Sequence, residues 1–174
     1  MPLQPPATLW TVGHSTHPID ELLDILGAHG ITRIADVRRF PGSRAHPQFN
    51  PDVLAASLAE RGIAYTPMLQ LGGRRKPRPD TTHTAWRNEA FRGYADYMDT
   101  PEFAAAAEEL AALARVDNVA AMCAEGVWWR CHRSMIADYF KASGWTVLHI
   151  LGMGEAKEHP YTAVAKVEGG KLTY

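Results

Sequence analysis

The sequence predicts an α/β domain: a single three-layer unit with a mainly parallel five-stranded sheet, helices on both faces and a C-terminal β-hairpin. Three observations carry this reading. Short apolar runs ending in glycine or polar turns alternate with longer amphipathic stretches as far as Ile150, which favours right-handed βαβ crossovers. The tail changes character, with two short runs flanking Gly169-Gly170, a hairpin signal. The 174 residues suit one core, since a chain of this size buries roughly 70% of its unfolded surface.

Residues 8–12 form the first expected strand, closed by the turn Gly13-His14-Ser15. Pro18 then suits a first helical turn, Asp20 and Glu21 complement its positive end, and Leu22, Leu23, Ile25 and Leu26 make an apolar stripe that stops at Gly30. A second strand spans residues 31–37. Asn50 as N-cap and Pro51 at N1 open a helix through Val53, Leu54 and Leu58 to Gly62, and residues 63–68 are the third strand. Residues 70–84, with Gly72-Gly73-Arg74-Arg75 and a Pro- and Thr-rich continuation, lack periodicity and read as a long mobile loop, a lid. Helical patterns return at 85–98 and 102–115. A fourth strand follows at 118–123, a helix at 131–143 closed by Gly144, and a fifth strand at 145–150.

Composition narrows the class. Hydrophobic residues make up 46% and charged residues 21%, far from a disordered chain, and the net charge of -1 argues against a protein that coats nucleic acid without selectivity. Yet nine of the 18 Lys and Arg residues lie between Arg33 and Arg78, against only Asp36, Asp52 and Glu60, so a local basic patch is expected. Two cysteines are too few for a secreted disulfide framework. Residues 1–7 lack the form of a signal peptide, and no apolar run approaches the roughly 20 residues that span a bilayer. These features point to a cytoplasmic protein with no membrane partner.

In a parallel sheet every strand ends on one edge, where ligands bind. That edge collects Gly13-His14-Ser15, Asp36-Val37-Arg38-Arg39, Gly72-Gly73-Arg74-Arg75, Cys123-Ala124-Glu125 and His149. His14 and Glu125 are the expected proton carriers, and Cys123 and Cys131 the candidate nucleophiles. Against this, Asp36 also reads as a carboxylate paired with an arginine for structure, and Cys123 as an inert buried thiol. Cys131-His132-Arg133-Ser134 opens a helix, whose free N–H groups and dipole attract anions and lower the pKa of Cys131. Ser15, Arg38, Arg39, Arg74, Arg75, His132, Arg133 and Ser134 complete the expected anion site. A phosphatase loop requires Arg six places after the cysteine, but Trp129 holds that place and Arg130 follows it. Trp128 and Trp129 read as hydrophobic cover for their loop. The Cys and His spacing matches no standard zinc pattern, so neither metal nor cofactor is expected.

Taken as an ordered series, these motifs resemble a known family: Thr11-Val12-Gly13-His14-Ser15, Asp36-Val37-Arg38 with Pro41, Pro47-Gln48-Phe49-Asn50, Leu71-Gly72-Gly73, Cys123-Ala124-Glu125, Cys131-His132-Arg133-Ser134 and His159-Pro160. The set resembles domain-of-unknown-function family 488, found in bacteria and archaea, over residues 9–174. The resemblance implies an α/β fold and no particular reaction. The aromatic segment Val127-Trp128-Trp129 departs from the family pattern.

Two functions follow as expectations. One is an enzyme acting on a phosphate-bearing small molecule or nucleotide. The other is a nucleotide or nucleic-acid binding module without catalysis, in which Arg44, Arg74, Arg75, Lys76 and Arg78 contact phosphates. The sequence leaves the oligomeric state open.

Overall fold

The computed structural model describes residues 6–174. Most of the amino-terminal segment on which the signal-peptide expectation rests lies outside the described residues. In chain order the elements are β1 (Thr8–Gly13), α1 (Ile19–Ala28), β2 (Arg33–Asp36), α2 (Pro51–Glu60), β3 (Ala64–Pro67), α3 (Glu89–Met98), α4 (Pro101–Val116), β4 (Val119–Cys123), α5 (Arg133–Ala142) and β5 (Thr146–Ile150). Three short strands end the chain, β6 (Lys157–Glu158), β7 (Lys166–Glu168) and β8 (Lys171–Thr173).

The main sheet has the order β3-β2-β4-β1-β5-β6, and β7 pairs with β8 in the expected hairpin. Strands β1 to β5 pair in parallel, whereas β6 runs antiparallel against β5. The sixth strand escaped the sequence reading because two residues carry no measurable alternation. Local signals account for most helix starts. Thr100 accepts a hydrogen bond from the Phe103 amide and Asn88 from the Phe91 amide, both as N-caps. Asn50 stands at the N-cap of α2 before Pro51, but its side chain accepts from the Ser43 amide instead.

Alternation along the strands divides the core in two. Val12, Ile34, Ala120, Met122 and Ile150 face α1 and α2, against Leu22, Leu26, Leu54 and Leu58. Ala35, Ala121, Cys123 and Val147 face the other side, against Tyr94, Phe103, Leu110, Met135 and Phe140 of α3 to α5. Strands β2 and β4 are neighbours, yet the helix after β2 lies on one face and the helix after β4 on the other. Their exiting chains therefore diverge, which opens a crevice between the two carboxyl ends. No helix among the described residues is long and apolar enough to cross a membrane.

The 70–84 loop lies beside that crevice, but its hydrogen bonds differ from those of a free lid. Tyr94 and Tyr97 donate their hydroxyls to Leu71 O and Gln70 O. Asp96 accepts from the Arg78 amide at 2.8 Å and the Thr81 hydroxyl at 2.7 Å, and His83 reaches Asp99 at 2.7 Å. Gly93 allows this closeness, since a Cβ there would meet Arg75 O at 2.0 Å. Gly93→Ala should therefore lower stability by about 2 kcal/mol, within the usual range for overpacking, and speed amide exchange in residues 71–84. An unchanged urea midpoint with unchanged exchange would show that the loop is not held through this contact.

Candidate active site at the carboxyl edge

The same alternation that divides the core divides the polar residues of the edge. Asp36 follows Ile34 in phase, and His14 follows Val12, so both face α1 and α2. There Arg38 binds Asp36 through Nε at 2.8 Å and Nη2 at 2.6 Å, and Tyr65 donates its hydroxyl to the same carboxylate at 2.6 Å. The remaining Arg38 donors reach Pro41 O, Phe49 O and His14 Nε2. His14 stacks on Phe49 with ring centroids 4.1 Å apart and hydrogen bonds Ser15 O through Nδ1. Burial pushes its pKa down to about 4, so the ring is neutral and its basic nitrogen already accepts from Arg38.

On the opposite face, Thr11 and His149 lie side by side in register and are fully buried. Thr11 accepts from Arg133 Nη1 at 3.1 Å and hydrogen bonds His149 Nδ1. His149 Nε2 meets His159 Nδ1 at 2.8 Å, and His159 Nε2 meets Asp138 Oδ1 at 2.7 Å. Asp138 also accepts from Thr162 N, Thr162 Oγ1 and Tyr174 OH. Every contact on this carboxylate is a donated hydrogen, so His159 donates through Nε2 and accepts from His149, which in turn accepts from Thr11. The reverse polarity would leave the Thr11 hydroxyl hydrogen without an acceptor among the described residues. Burial brings the His149 pKa down to about 2, in keeping with a neutral ring. Trp128 stacks flat on it at 4.6 Å, which fulfils the covering role expected of that residue.

The chain begins at Arg133, which is fully buried and has no carboxylate within ion-pair distance among the described residues. Its Nη2 donates to Glu125 O at 3.0 Å and Gly126 O at 3.2 Å, while Nε has no hydrogen-bond partner. Gly13 lets that segment approach, because a Cβ at position 13 would lie 1.8 Å from Glu125 O. Beside Arg133 the two thiols line one cleft: Cys123 Sγ and Arg133 Nη2 both donate to Glu125 O, at 3.5 and 3.0 Å, and the Arg133 amide reaches Cys131 Sγ at 3.5 Å. Burial opposes ionisation of both. At Cys123 the neighbouring Cys131 thiol and the Arg133 charge outweigh burial and hold the pKa below the usual thiol value. At Cys131 burial and the Cys123 sulfur push it well above.

Both thiols line a cleft of about 380 Å³ with Arg38, Arg39, Arg74, Arg130 and Glu125. Phe40, 62% exposed, stands at this cleft with the Arg39 and Arg74 guanidiniums over its ring, at 5.4 and 5.7 Å from the centroid. His132 also lines it, with Nε2 on Val37 O at 2.9 Å and Nδ1 3.4 Å from Cys131 Sγ, and burial lowers its pKa to about 4.

Several expected site residues fall elsewhere. His14 belongs to the Asp36 cluster on the other face of the sheet, and Ser15 lies against Gly126. Arg75 turns away to cover the Tyr97 ring at 3.7 Å. Arg133 and Ser134 are fully buried, and the Ser134 hydroxyl donates to Cys131 O. The α5 terminus is not the anticipated anion cradle, because its first amides already bond Cys131 Sγ, Cys131 O and His132 O. For the same reason the expected acidification of Cys131 by the helix dipole loses to burial, and Cys123 is the acidified thiol.

The sequence reading passed over Thr11, Asp138, Tyr65 and Tyr174 as functional or structural partners, along with Phe40 and Arg130 as cleft residues. A polar Thr11 and His149 on the inward phase of apolar strands, and Asp138 inside an apolar helix stripe, are signals that would have located the buried chain. Among the described residues one group, His83, Asp96 and Asp99, is close enough to share an ion. Its atoms are engaged with Tyr174 N, Arg78 N and Thr81 Oγ1, and it lies away from the cleft.

A parallel sheet with a thiol-bearing, arginine-lined crevice at its carboxyl edge defines the class as an α/β domain of the switch-point type. A family model described as Domain of unknown function DUF488 matches residues 18–140, and the chain belongs to that family. The matched region includes Asp36, Cys123, Cys131, Arg133 and Asp138, whereas Thr11, His149 and His159 lie outside it. No curated protein and no solved structure matches the chain.

The three depressed histidines predict how stability depends on pH. Their folded pKa values, about 4 for His14 and His132 and about 2 for His149, lie below the usual 6.5. The unfolded chain therefore binds more protons below 6.5, so their contribution is complete above that value and declines as pH falls from it. Urea unfolding at neutral pH and at about pH 5 should give a lower midpoint in acid. A midpoint that rises on acidification would contradict buried neutral rings.

Proposed function

We propose that the chain is an enzyme acting on a phosphate-bearing small molecule or nucleotide, bound in the cleft between the ends of β2 and β4. The observation that carries this reading is the meeting of an acidified buried thiol with four arginines in one crevice. Arg38 has its donors engaged and contributes charge, whereas exposed Arg39, Arg74 and Arg130 offer free N–H groups to phosphate oxygens. The exposed Phe40 ring and the planar Arg39 and Arg74 guanidiniums over it together offer stacking surfaces to a planar base, which favours a nucleotide. Cys123 is the nucleophile, and exposed Glu125 exchanges protons with the leaving group and water. Two free thiols, one acidified, fit a reducing cytoplasm.

The competing reading, a nucleotide or nucleic-acid binder without catalysis, draws on the same arginines and Phe40. Alkylation of Cys123 in the presence of inorganic phosphate or a nucleoside monophosphate separates the ideas. Both ligands should slow the reaction. Arg39→Ala combined with Arg74→Ala should weaken binding roughly tenfold, about 1.4 kcal/mol, and Phe40→Ala should weaken nucleotide but not phosphate. Cys123→Ser and Glu125→Gln should abolish turnover of a nucleotide panel while leaving binding intact. Absence of protection would refute the cleft as a phosphate site, and binding without turnover by the unaltered chain would favour the binder.

A further inference from the structure

The nucleophile reading leaves Cys131 without a task, although it shares the cleft with Cys123, accepts from the Arg133 amide at 3.5 Å and lies beside His132. We propose that Cys123 and Cys131 are a redox pair that forms a reversible disulfide on exposure to a hydroperoxide, with Cys123 as the oxidised thiol and Cys131 as its resolving partner. The inference rests on the reading of Cys123 as the thiolate of this cleft.

Geometry assigns the roles. Arg133 Nη2 and Cys123 Sγ meet on the same carbonyl, Glu125 O, at 3.0 and 3.5 Å, so the buried cation favours the Cys123 thiolate as the sulfur that attacks peroxide first. The Cys123 thiolate attacks the terminal oxygen of the hydroperoxide, the O–O bond breaks, and the alkoxide or hydroxide leaves with a solvent proton. Cys123 is then a sulfenic acid. Cys131 attacks its sulfur, the S–O bond breaks, and the departing hydroxide becomes water. Two thiols and one hydroperoxide give one disulfide, one water and one alcohol, or two waters when the oxidant is hydrogen peroxide.

Burial keeps Cys131 protonated, so its proton passes to the hydroxide that leaves Cys123 as the S–S bond forms, and the thiol must be oriented for that transfer. His132 Nδ1 lies 3.4 Å from its sulfur, and with Nε2 donating to Val37 O the neutral ring offers Nδ1 as an acceptor. The turn at 124–126 holds Cys123 in place through Ser15 N and Arg133 Nη2, whereas Cys131 follows a single 3-10 turn, Trp128–Arg130, whose Trp129 and Arg130 are exposed, so the adjustment that closes the bond falls on the Cys131 side. Oxidation consumes the nucleophile, so the pair would switch the proposed activity off until a thiol reductant restores it.

The test treats the full, reduced chain with a small excess of hydrogen peroxide and follows intact mass, peptide maps and trapping by dimedone. The expected product is an intramolecular Cys123–Cys131 disulfide, lighter by two hydrogens, free of dimedone and returned to two thiols by dithiothreitol. Cys131→Ser should accumulate a dimedone adduct on Cys123, and Cys123→Ser should leave Cys131 unmodified at the same dose. His132→Asn should retain sulfenic acid formation and slow its resolution. The proposal is overturned if the unaltered chain keeps both thiols, if dimedone traps Cys123 as readily as in Cys131→Ser, or if reductant fails to restore the thiols. Alkylation of the unaltered chain tells which idea has failed. Cys123 modified at mildly acidic pH without disulfide formation sinks the redox pair alone, whereas Cys123 inert until unfolding sinks the nucleophile as well.

Discussion

The buried guanidinium of Arg133 is the constraint around which the edge of this sheet is organised. A cation removed from water is strongly destabilising unless its charge is balanced and its hydrogens are satisfied. Among the described residues no carboxylate touches it. Balance comes instead along a polarised chain through Thr11, His149 and His159 to Asp138. Two loop carbonyls take further donors, which fixes the 125–126 turn against β1. The acidified thiol and the strand ends that frame the cleft thus share one electrostatic origin.

That origin explains why the two halves of the edge behave differently. On the α1 and α2 side, Asp36 meets Arg38 directly, and the pair with Tyr65 and His14 forms a closed cluster in which the donors have partners. On the α5 side the cation and the carboxylate are separated by Thr11, His149 and His159, and Arg133 Nε has no partner among the described residues. The first arrangement supports structure. The second leaves a positive field that reaches Cys123, and the cleft's exposed arginines extend that field to solvent.

Much of the fold was legible in the residues, and the candidate site only in outline. Glycine stops and apolar runs located five parallel strands, five helices and the hairpin because each signal is local. The edge was also identifiable, since strand direction alone brings Cys123, Glu125, Arg38 and Arg39 together. The partition of that edge was not, although it follows from the phase of alternation: His14 shares the phase of Val12, while Thr11 has the opposite one. Which cysteine ionises depended on burial and on a partner ten residues from Cys123, Arg133, whose side chain folds back under β1 rather than out toward a ligand. Asp138, His149 and His159 converge only through tertiary packing of α5 against β5 and the segment after it, which no local pattern records.

The account stands most directly on the ionisation of Cys123 and its dependence on Arg133. Ultraviolet absorbance of the thiolate, followed against pH in the reduced chain and in Arg133→Met, measures both. The unaltered chain should show one thiol titrating below the roughly 8.5 of a free cysteine and the other above it, and Arg133→Met should raise the lower value while the domain stays folded. Two thiols titrating together near the free value, or a low value unmoved in folded Arg133→Met, would contradict the claim that the buried guanidinium creates this site.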